Sequence, residues 1–228
     1  SSEALKSALS AEGFSIEGGV ADIPTAFVAS YGSGEPVIAV MGEFDALPGI
    51  SQAAVPFEQK IEGKNAAQAC GHHLFGAGSA GAAIAVKEWL ERTGTPGTIQ
   101  FFGTPAEEGG SGKVYMVRAG LFDDVDTVIH WHPSSVNAAD SASTLANRSA
   151  KFTFAGVSSH AASAPDRGRS ALDAVEAMNF MVNLLREHVP TSTRLHYVIT
   201  NGGSAPNVVP NTAQSFYYVR HPNETTLR

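Results

Sequence analysis

The spacing of apolar residues over the first 131 positions predicts helices and strands in alternation. Apolar residues recur at helical spacing in Ser1–Glu12, whereas Ala26–Tyr31 and Pro36–Met41 are apolar runs bounded by glycine, serine and proline, as strands are. The elements predicted next are helix Phe75–Arg92, strand Thr98–Gly103, helix Gly112–Ala119 and strand Thr127–Trp131. This order is typical of an α/β layer built on a mostly parallel sheet.

The pattern changes after Pro133, where Ser134–Ser149 is rich in serine, alanine and asparagine and has no strong period. We therefore predict a first domain over residues 1–147 and a second over residues 148–228. The second contains a predicted strand, a long helix and two further strands: Lys151–Ala155, Ser170–His188, Arg194–Thr200 and Thr212–Arg220. The order β-α-β-β is three quarters of a ferredoxin-like βαββαβ unit, so we expect a truncated unit.

Composition excludes several classes of function. With 15 basic and 22 acidic residues the formal net charge is −7, and no run of lysine and arginine could follow a phosphate backbone, so we expect no nucleic-acid partner. Apolar stretches fall short of the roughly 20 residues that a membrane span needs. The single cysteine, Cys70, excludes an internal disulfide framework. The start of the chain does not resemble a signal peptide, and we expect a cytoplasmic protein.

Potential metal ligands cluster at three points, namely Cys70 with His72 and His73, Glu107 with Glu108, and His130 with His132. The glutamates follow one predicted strand and His130 ends the next. Because open α/β sheets build their sites at the carboxyl ends of strands, we expect these residues at one edge. Thiolate, imidazole and carboxylate are ligands for zinc-class and manganese-class ions. One glutamate could then bind metal while the other moves protons.

Each of these features alone has a structural explanation. A lone cysteine such as Cys70 is often a small buried hydrophobic residue. The pair Glu107 and Glu108 could cap the helix that follows, and His130 could be a hydrogen-bonded core histidine. The run Gly76–Gly81 matches the dinucleotide pattern G-x-G-x-x-G, but the polar segment before it is not a strand, so we expect its glycines to serve close helix packing.

Six segments in order along the chain resemble the aminoacylase-like family of di-metal amidohydrolases, in the branch of hippurate hydrolase, indole-acetyl-amino-acid hydrolases and aminobenzoyl-glutamate hydrolase. They are Gly42–Pro48, Ala69–His72, Pro105–Gly110, His130–Pro133, Gly156–Ala162 and Gly203–Pro210. The resemblance implies a metallopeptidase-type, mostly parallel sheet with helices on both faces, followed by a ferredoxin-like α+β lid domain.

The resemblance also implies roles for individual residues. Cys70 matches the bridging metal ligand of the family, and the terminal ligands are matched by His72, Glu108 and His130. Glu107 matches the general base. Asp45 matches a residue that supports the metal site. His160 and Asn207 match lid residues that would contact the substrate carbonyl.

The implied reaction is hydrolysis of an N-acyl or N-aroyl amino acid by metal-activated water. Two divalent ions, zinc or manganese, are the implied cofactors, and a homodimer formed through the lid is the implied assembly. The sequence departs from the family in two respects. His73 stands where this branch usually has aspartate or asparagine, and no residue matches the last metal-ligand histidine. We therefore expect this chain to hold an incomplete site.

Two alternatives remain open at this point. Cys70 could be the nucleophile of a thiol hydrolase, with His130 or His72 as its base. The chain could also be a non-catalytic binding or dimerisation module that keeps the fold. The first alternative predicts inactivation by iodoacetamide and indifference to chelators, which is the reverse of the metal hypothesis.

Overall fold

The computed structural model describes residues 1–139 and 143–228, which divide into two compact units, Ser1–Asn137 and Ala138–Arg228. The domain boundary expected between residues 147 and 148 falls inside a strand, Ala146–Ala155, of the second unit. Each unit has its own sheet. Within the described residues, no helix is both long and apolar enough to cross a membrane.

The first unit contains the alternating elements that the sequence predicts and three short strands that it does not, Ser15–Gly18, Leu47–Pro48 and Ala66–Ala67. They are α1 (Ser2–Ala11), β1 (Ser15–Gly18), β2 (Phe27–Ser33), β3 (Val37–Gly42), β4 (Leu47–Pro48), β5 (Ala66–Ala67), α2 (His72–Thr93), β6 (Gly97–Gly103), α3 (Gly112–Arg118) and β7 (Thr127–Ile129). Five of the strands form a sheet in the order β1-β2-β6-β3-β7, while β4 and β5 pair with each other.

The main sheet is mixed, so the expectation of a mostly parallel sheet is wrong. Strand β3 runs parallel to β6 and β7, but β1 pairs with β2, and β2 with β6, in antiparallel fashion. Only residues 34–36 connect β2 to β3. Because a parallel crossover needs a dozen or more residues, this short turn can only reverse the chain. Strand β6 then lies between β2 and β3, antiparallel to one and parallel to the other.

Apolar residues on both faces of this sheet form two clusters. On one face Phe101 packs with Leu9 of α1 and Ala83 of α2, and on the other Phe102 packs with Met116 of α3. Phe101 and Phe102 are consecutive in β6, and successive side chains of a strand point to opposite faces. Helices therefore cover both faces, as expected, and the central strands are held in place from both sides.

The glycines of the run Gly76–Gly81 let α2 approach its neighbours closely. A Cβ atom on Gly76 would lie 2.9 Å from the backbone oxygen of Glu43, and one on Gly78 would lie 2.8 Å from the ring of Trp131. The indole nitrogen of Trp131 also donates a hydrogen bond to the hydroxyl of Ser79 at 3.1 Å. These contacts confirm the packing interpretation of the motif at two of its three glycines.

The second unit contains β8 (Ala146–Ala155), α4 (Ala171–Leu185), β9 (Arg194–Asn201), β10 (Thr212–His221) and α5 (Glu224–Leu227). Its sheet has the order β8-β10-β9, and both pairings are antiparallel. Helix α4 packs on one face, where Ala171 and Val175 meet Ala213 of β10. The predicted β-α-β-β order is therefore present, and the strand order is that of the first three strands of a ferredoxin-like unit.

Candidate metal centre

Three segments of the first unit bring polar side chains to one place. Residues Glu43 and Asp45 follow β3, residues Glu107 and Glu108 follow β6, and His72 is the first residue of α2. Strands β3 and β6 are parallel neighbours, so the segments after them leave the same edge of the sheet. The strand-end position expected for the two glutamates is thereby confirmed.

His72 lies at the centre of this group and is fully buried. Its Nδ1 lies 2.9 Å from Oδ1 of Asp45, a carboxylate that can only accept, so Nδ1 carries the proton. The second oxygen of Asp45 accepts a hydrogen bond from the backbone N–H of Glu108 at 2.9 Å. Asp45 therefore orients the imidazole and joins it to the glutamate loop, the supporting position that we expect for it.

The other ring nitrogen of His72, Nε2, faces carboxylates. It lies 3.0 Å from Oε2 of Glu43 and 3.9 Å from Oε2 of Glu107. Among the described residues, neither Nε2 of His72 nor Oε2 of Glu43 has a hydrogen-bond partner, and Oε1 of Glu108 is likewise buried without one. Buried polar atoms are normally paired, so these lone pairs require a cation or a proton between them.

A second set of donors surrounds Cys70. Its Sγ lies 3.5 Å from Nε2 of His132, and one ligand atom from each of Cys70, His72 and His132 falls within 4.8 Å of the others. Nδ1 of His132 donates to the carbonyl oxygen of Pro133 at 2.9 Å, which leaves its Nε2 free to accept. The same distance criterion groups Glu43, His72 and Glu107. His72 belongs to both groups.

These donors fit a divalent metal ion of the zinc or manganese class. A thiol, two imidazole nitrogens with free lone pairs and several carboxylates are the ligands such ions prefer. Hydrogen bonds from the far ring nitrogens to a carboxylate and a carbonyl are the usual way in which metal-binding histidines are oriented. The unpartnered buried atoms of Glu43, His72 and Glu108 mark the place that a cation would fill.

Burial and neighbouring carboxylates raise the pKa of two acids at this site. The pKa of the Cys70 thiol is raised by burial first, then by hydrogen bonding to Glu108 and by the charges of the nearby glutamates. The pKa of Glu107 is also raised, again by burial first and then by the charges of Glu43 and Glu108. Of these causes, the negative charges of the glutamates also favour the entry of cations.

The structure brings together most of the residues predicted for the first unit. Asp45, Cys70, His72, Glu107 and Glu108 all converge. His130 packs edge-on against Phe75 with ring centres 5.0 Å apart, and burial lowers its pKa. Among the described residues, His132 belongs to one of the two groups of potential ligands and His130 belongs to neither.

His160 and Asn207 lie in the second unit, on two loops that are joined to each other. The N–H of Ala161 donates to the backbone oxygen of Asn207 at 3.0 Å, and His160 forms a β-bridge with Val208. Nδ1 of His160 accepts from the backbone N–H groups of Ala162 and Ser163, both at 3.2 Å. The proton of the neutral ring is therefore on Nε2, which has no partner among the residues that the structure describes.

Comparison with known proteins identifies the family of this chain. The model of the peptidase family M20/M25/M40 matches residues 39–215, which contain the whole group of converging side chains. The chain belongs to this M20 peptidase family. The family interpretation of the six sequence segments is thereby confirmed.

The chain spans about half the length of the curated relatives it matches. It is 48% identical to one of the subunits of p-aminobenzoyl-glutamate hydrolase of Escherichia coli over 231 residues, which cover 100% of this chain and 48% of that protein. It is 33% identical to mouse Xaa-Arg dipeptidase, over 90% of this chain and 46% of the relative. Indole-3-acetyl-aspartic acid hydrolase of Enterobacter agglomerans is 33% identical over 64% of this chain and 34% of its own length.

Solved structures of low sequence identity share the fold. A dinuclear metal binding peptidase of the M20 family from Bacillus subtilis aligns with 99% of this chain and 59% of its own, with a TM-score of 0.63 and 21% identity. An aminobenzoyl-glutamate utilization protein from Klebsiella pneumoniae aligns with 99% of this chain and 62% of its own, with a TM-score of 0.61 and 21% identity.

The contributions of His130 and His132 to metal binding by this M20 chain can be distinguished by experiment. We expect His132→Ala to weaken zinc binding at least about 10-fold, because it removes the nitrogen that faces Cys70. His130→Ala is the matched control and should leave zinc affinity unchanged. Zinc titration against a chromophoric chelator measures both. Weaker binding in His130→Ala with normal binding in His132→Ala would restore the assignment made from the family motif.

Proposed function

We propose that this chain is the metal-binding part of an amidohydrolase that cleaves the amide bond of N-acyl or N-aroyl amino acids. The observation that carries the proposal is the convergence of a thiol, two imidazoles and carboxylates on one partly buried place, where His72, Glu43 and Glu108 have unpartnered atoms. Zinc and manganese both suit this donor set.

The names of the relatives support the substrate class. p-Aminobenzoyl-glutamate, indole-3-acetyl-aspartic acid and an Xaa-Arg dipeptide all contain an amino acid whose nitrogen is acylated. The acyl groups differ widely while the amide bond to an amino acid is common to all of them. We therefore extend this common feature, and not a particular acyl group, to the present chain.

Cys70, His72, Glu108 and either His132 or His130 would hold the ions. When bound, they would supply Lewis acidity and lower the pKa of water to about 7. Glu107 would move the proton, which is supported by the exposure of about half of its side chain and by its carboxylate facing the same space as Nε2 of His72. Asp45 holds the histidine in the tautomer that leaves this nitrogen free. His160, with a proton on Nε2, and Asn207 would donate to the substrate carbonyl oxygen.

The surroundings of Cys70 oppose the alternative of a thiol hydrolase. A nucleophilic cysteine needs a lowered pKa, usually from a neighbouring cation. Here burial and three glutamates raise the pKa of the thiol, although the nitrogen of His132 lies 3.5 Å away. Such a thiol becomes a thiolate readily only when a metal ion balances the charge, which again favours the metal hypothesis.

Chelation and alkylation distinguish the alternatives. In a protein that includes the remaining length of its relatives, we expect hydrolysis of p-aminobenzoyl-glutamate to stop after dialysis against a chelator and to return with added zinc or manganese. Iodoacetamide should block this return when applied to the metal-free protein but act slowly on the loaded protein, because the metal shields Cys70. Elemental analysis gives the ion content in parallel.

Two other outcomes would contradict the proposal. Turnover that survives chelation but not alkylation would indicate the thiol hydrolase. Absence of both bound metal and turnover would indicate the non-catalytic module.

The homodimer belongs to this proposal as well. Strand β8 is an edge strand with β10 as its partner among the described strands, and such an edge invites pairing with a second copy.

A further inference from the structure

Glu43 is a buried carboxylate that the proposed mechanism does not use. Glu43 is 3% exposed and directly follows β3. Oε1 is paired with the ammonium group of Lys113, which stands in the first turn of α3. A buried charge is stable only when it is paired, and Lys113 supplies that pairing from a different element. The carboxylate of Glu43 is therefore held in one orientation.

The second oxygen of Glu43 faces another acceptor. Oε2 lies 3.0 Å from Nε2 of His72, whose ring proton is on the opposite nitrogen and is bonded to Asp45. Two acceptors cannot form a hydrogen bond with each other, and among the described residues neither atom has another partner. Both atoms belong to residues that are more than nine-tenths buried. Their placement is stable if a cation is shared between them.

We infer that Glu43 is a metal ligand of this site. Its Oε2 shares one divalent ion with Nε2 of His72, and Lys113 holds the carboxylate in place. The inference rests on the metal binding in the proposed function and adds a residue outside the ligand set given by the family motif. An oxygen ligand beside an imidazole suits manganese as well as zinc, whereas the group of Cys70 and His132 favours zinc. Lys113 is a positioning residue that acts through Glu43.

Metal titration of the metal-free chain tests this assignment. Zinc and manganese are titrated separately by calorimetry into the wild type, Glu43→Gln, Lys113→Met and the control Glu58→Gln, whose side chain is exposed. We expect Glu43→Gln to weaken one ion about 100-fold or more and Lys113→Met to weaken it about 10-fold. The control should match the wild type. Circular dichroism and thermal unfolding of the metal-free proteins check the fold.

Further measurements keep the inference falsifiable if Glu43→Gln does not fold. Glu43→Asp keeps the charge and the pair with Lys113 but moves the second carboxylate oxygen away from Nε2 of His72. We therefore expect a metal affinity between those of the wild type and Glu43→Gln, and an altered visible spectrum of the cobalt-loaded protein. Wild-type affinities and cobalt spectra in the Glu43 variants would overturn the inference, leave the proposed function intact and indicate a structural Glu43–His72 ion pair. A wild-type chain that binds neither metal would overturn both.

Discussion

In a protein that includes the remaining length of its relatives, Glu107→Gln is expected to lower kcat for an N-acyl amino acid by about 10²- to 10⁴-fold while the protein keeps its metal ions. Glutamine has the same size and shape but cannot take up a proton. The side chain of Glu107 is 47% exposed, and its nearest ring nitrogen, on His72, is 3.9 Å away. The exchange therefore removes the proposed proton carrier without disturbing the buried ligands. Turnover and metal content are measured on the same samples.

The neighbouring residue provides the matched comparison for Glu107→Gln. Glu108 is tied to the site through its backbone N–H, which is bonded to Asp45, and it has a buried carboxylate oxygen without a partner. We therefore expect Glu108→Gln to lose metal affinity as well as turnover. If Glu107→Gln kept normal turnover, the general-base role would be wrong. If it lost the metal instead, Glu107 would be a ligand.

The position of the site could be predicted because it depends on local patterns. Apolar runs locate β3 and β6, and the polar residues that end them, Glu43–Asp45 and Glu107–Glu108, must leave the sheet where the strands leave it. Only the pairing of β3 with β6 had to be right for the glutamates to meet His72. That pairing is parallel, as the α/β alternation predicts, so the edge that carries the chemistry was correct even though the whole sheet is mixed.

The remaining features depend on contacts between residues far apart in the chain. The place of β6 between β2 and β3 is set by contacts across the sheet, which no local period encodes. His130 and His132 are two residues apart and chemically identical, and only the position of Cys70, about 60 residues earlier, separates them. The burial of Glu43 is explained by Lys113, which lies 70 residues further along the chain. The segment Gly42–Pro48 could have directed attention to Glu43, because a charged residue directly after a buried strand needs a partner.

His72→Asn is expected to have the largest effect on metal binding, because His72 belongs to both groups of potential ligands. The amide N–H of asparagine can replace Nδ1 as the donor to Asp45, while nothing replaces Nε2. The variant therefore keeps the supporting hydrogen bond and removes the lone pair that faces Glu43. We expect the affinity for both ions to fall by more than about 100-fold, with turnover lost in proportion.

The adjacent histidine separates this effect from a general loss of imidazole. His73 is exposed at the start of α2, so His73→Asn should bind both ions as the wild type does. Elemental analysis after removal of excess metal gives the ion content of each variant, and thermal unfolding of the metal-free proteins shows whether the buried position tolerates asparagine. Two ions retained at wild-type affinity in His72→Asn would exclude Nε2 from coordination. In that case a proton on His72 would be what balances the carboxylate of Glu43, and the thiol of Cys70 would have to hold metal without the buried imidazole.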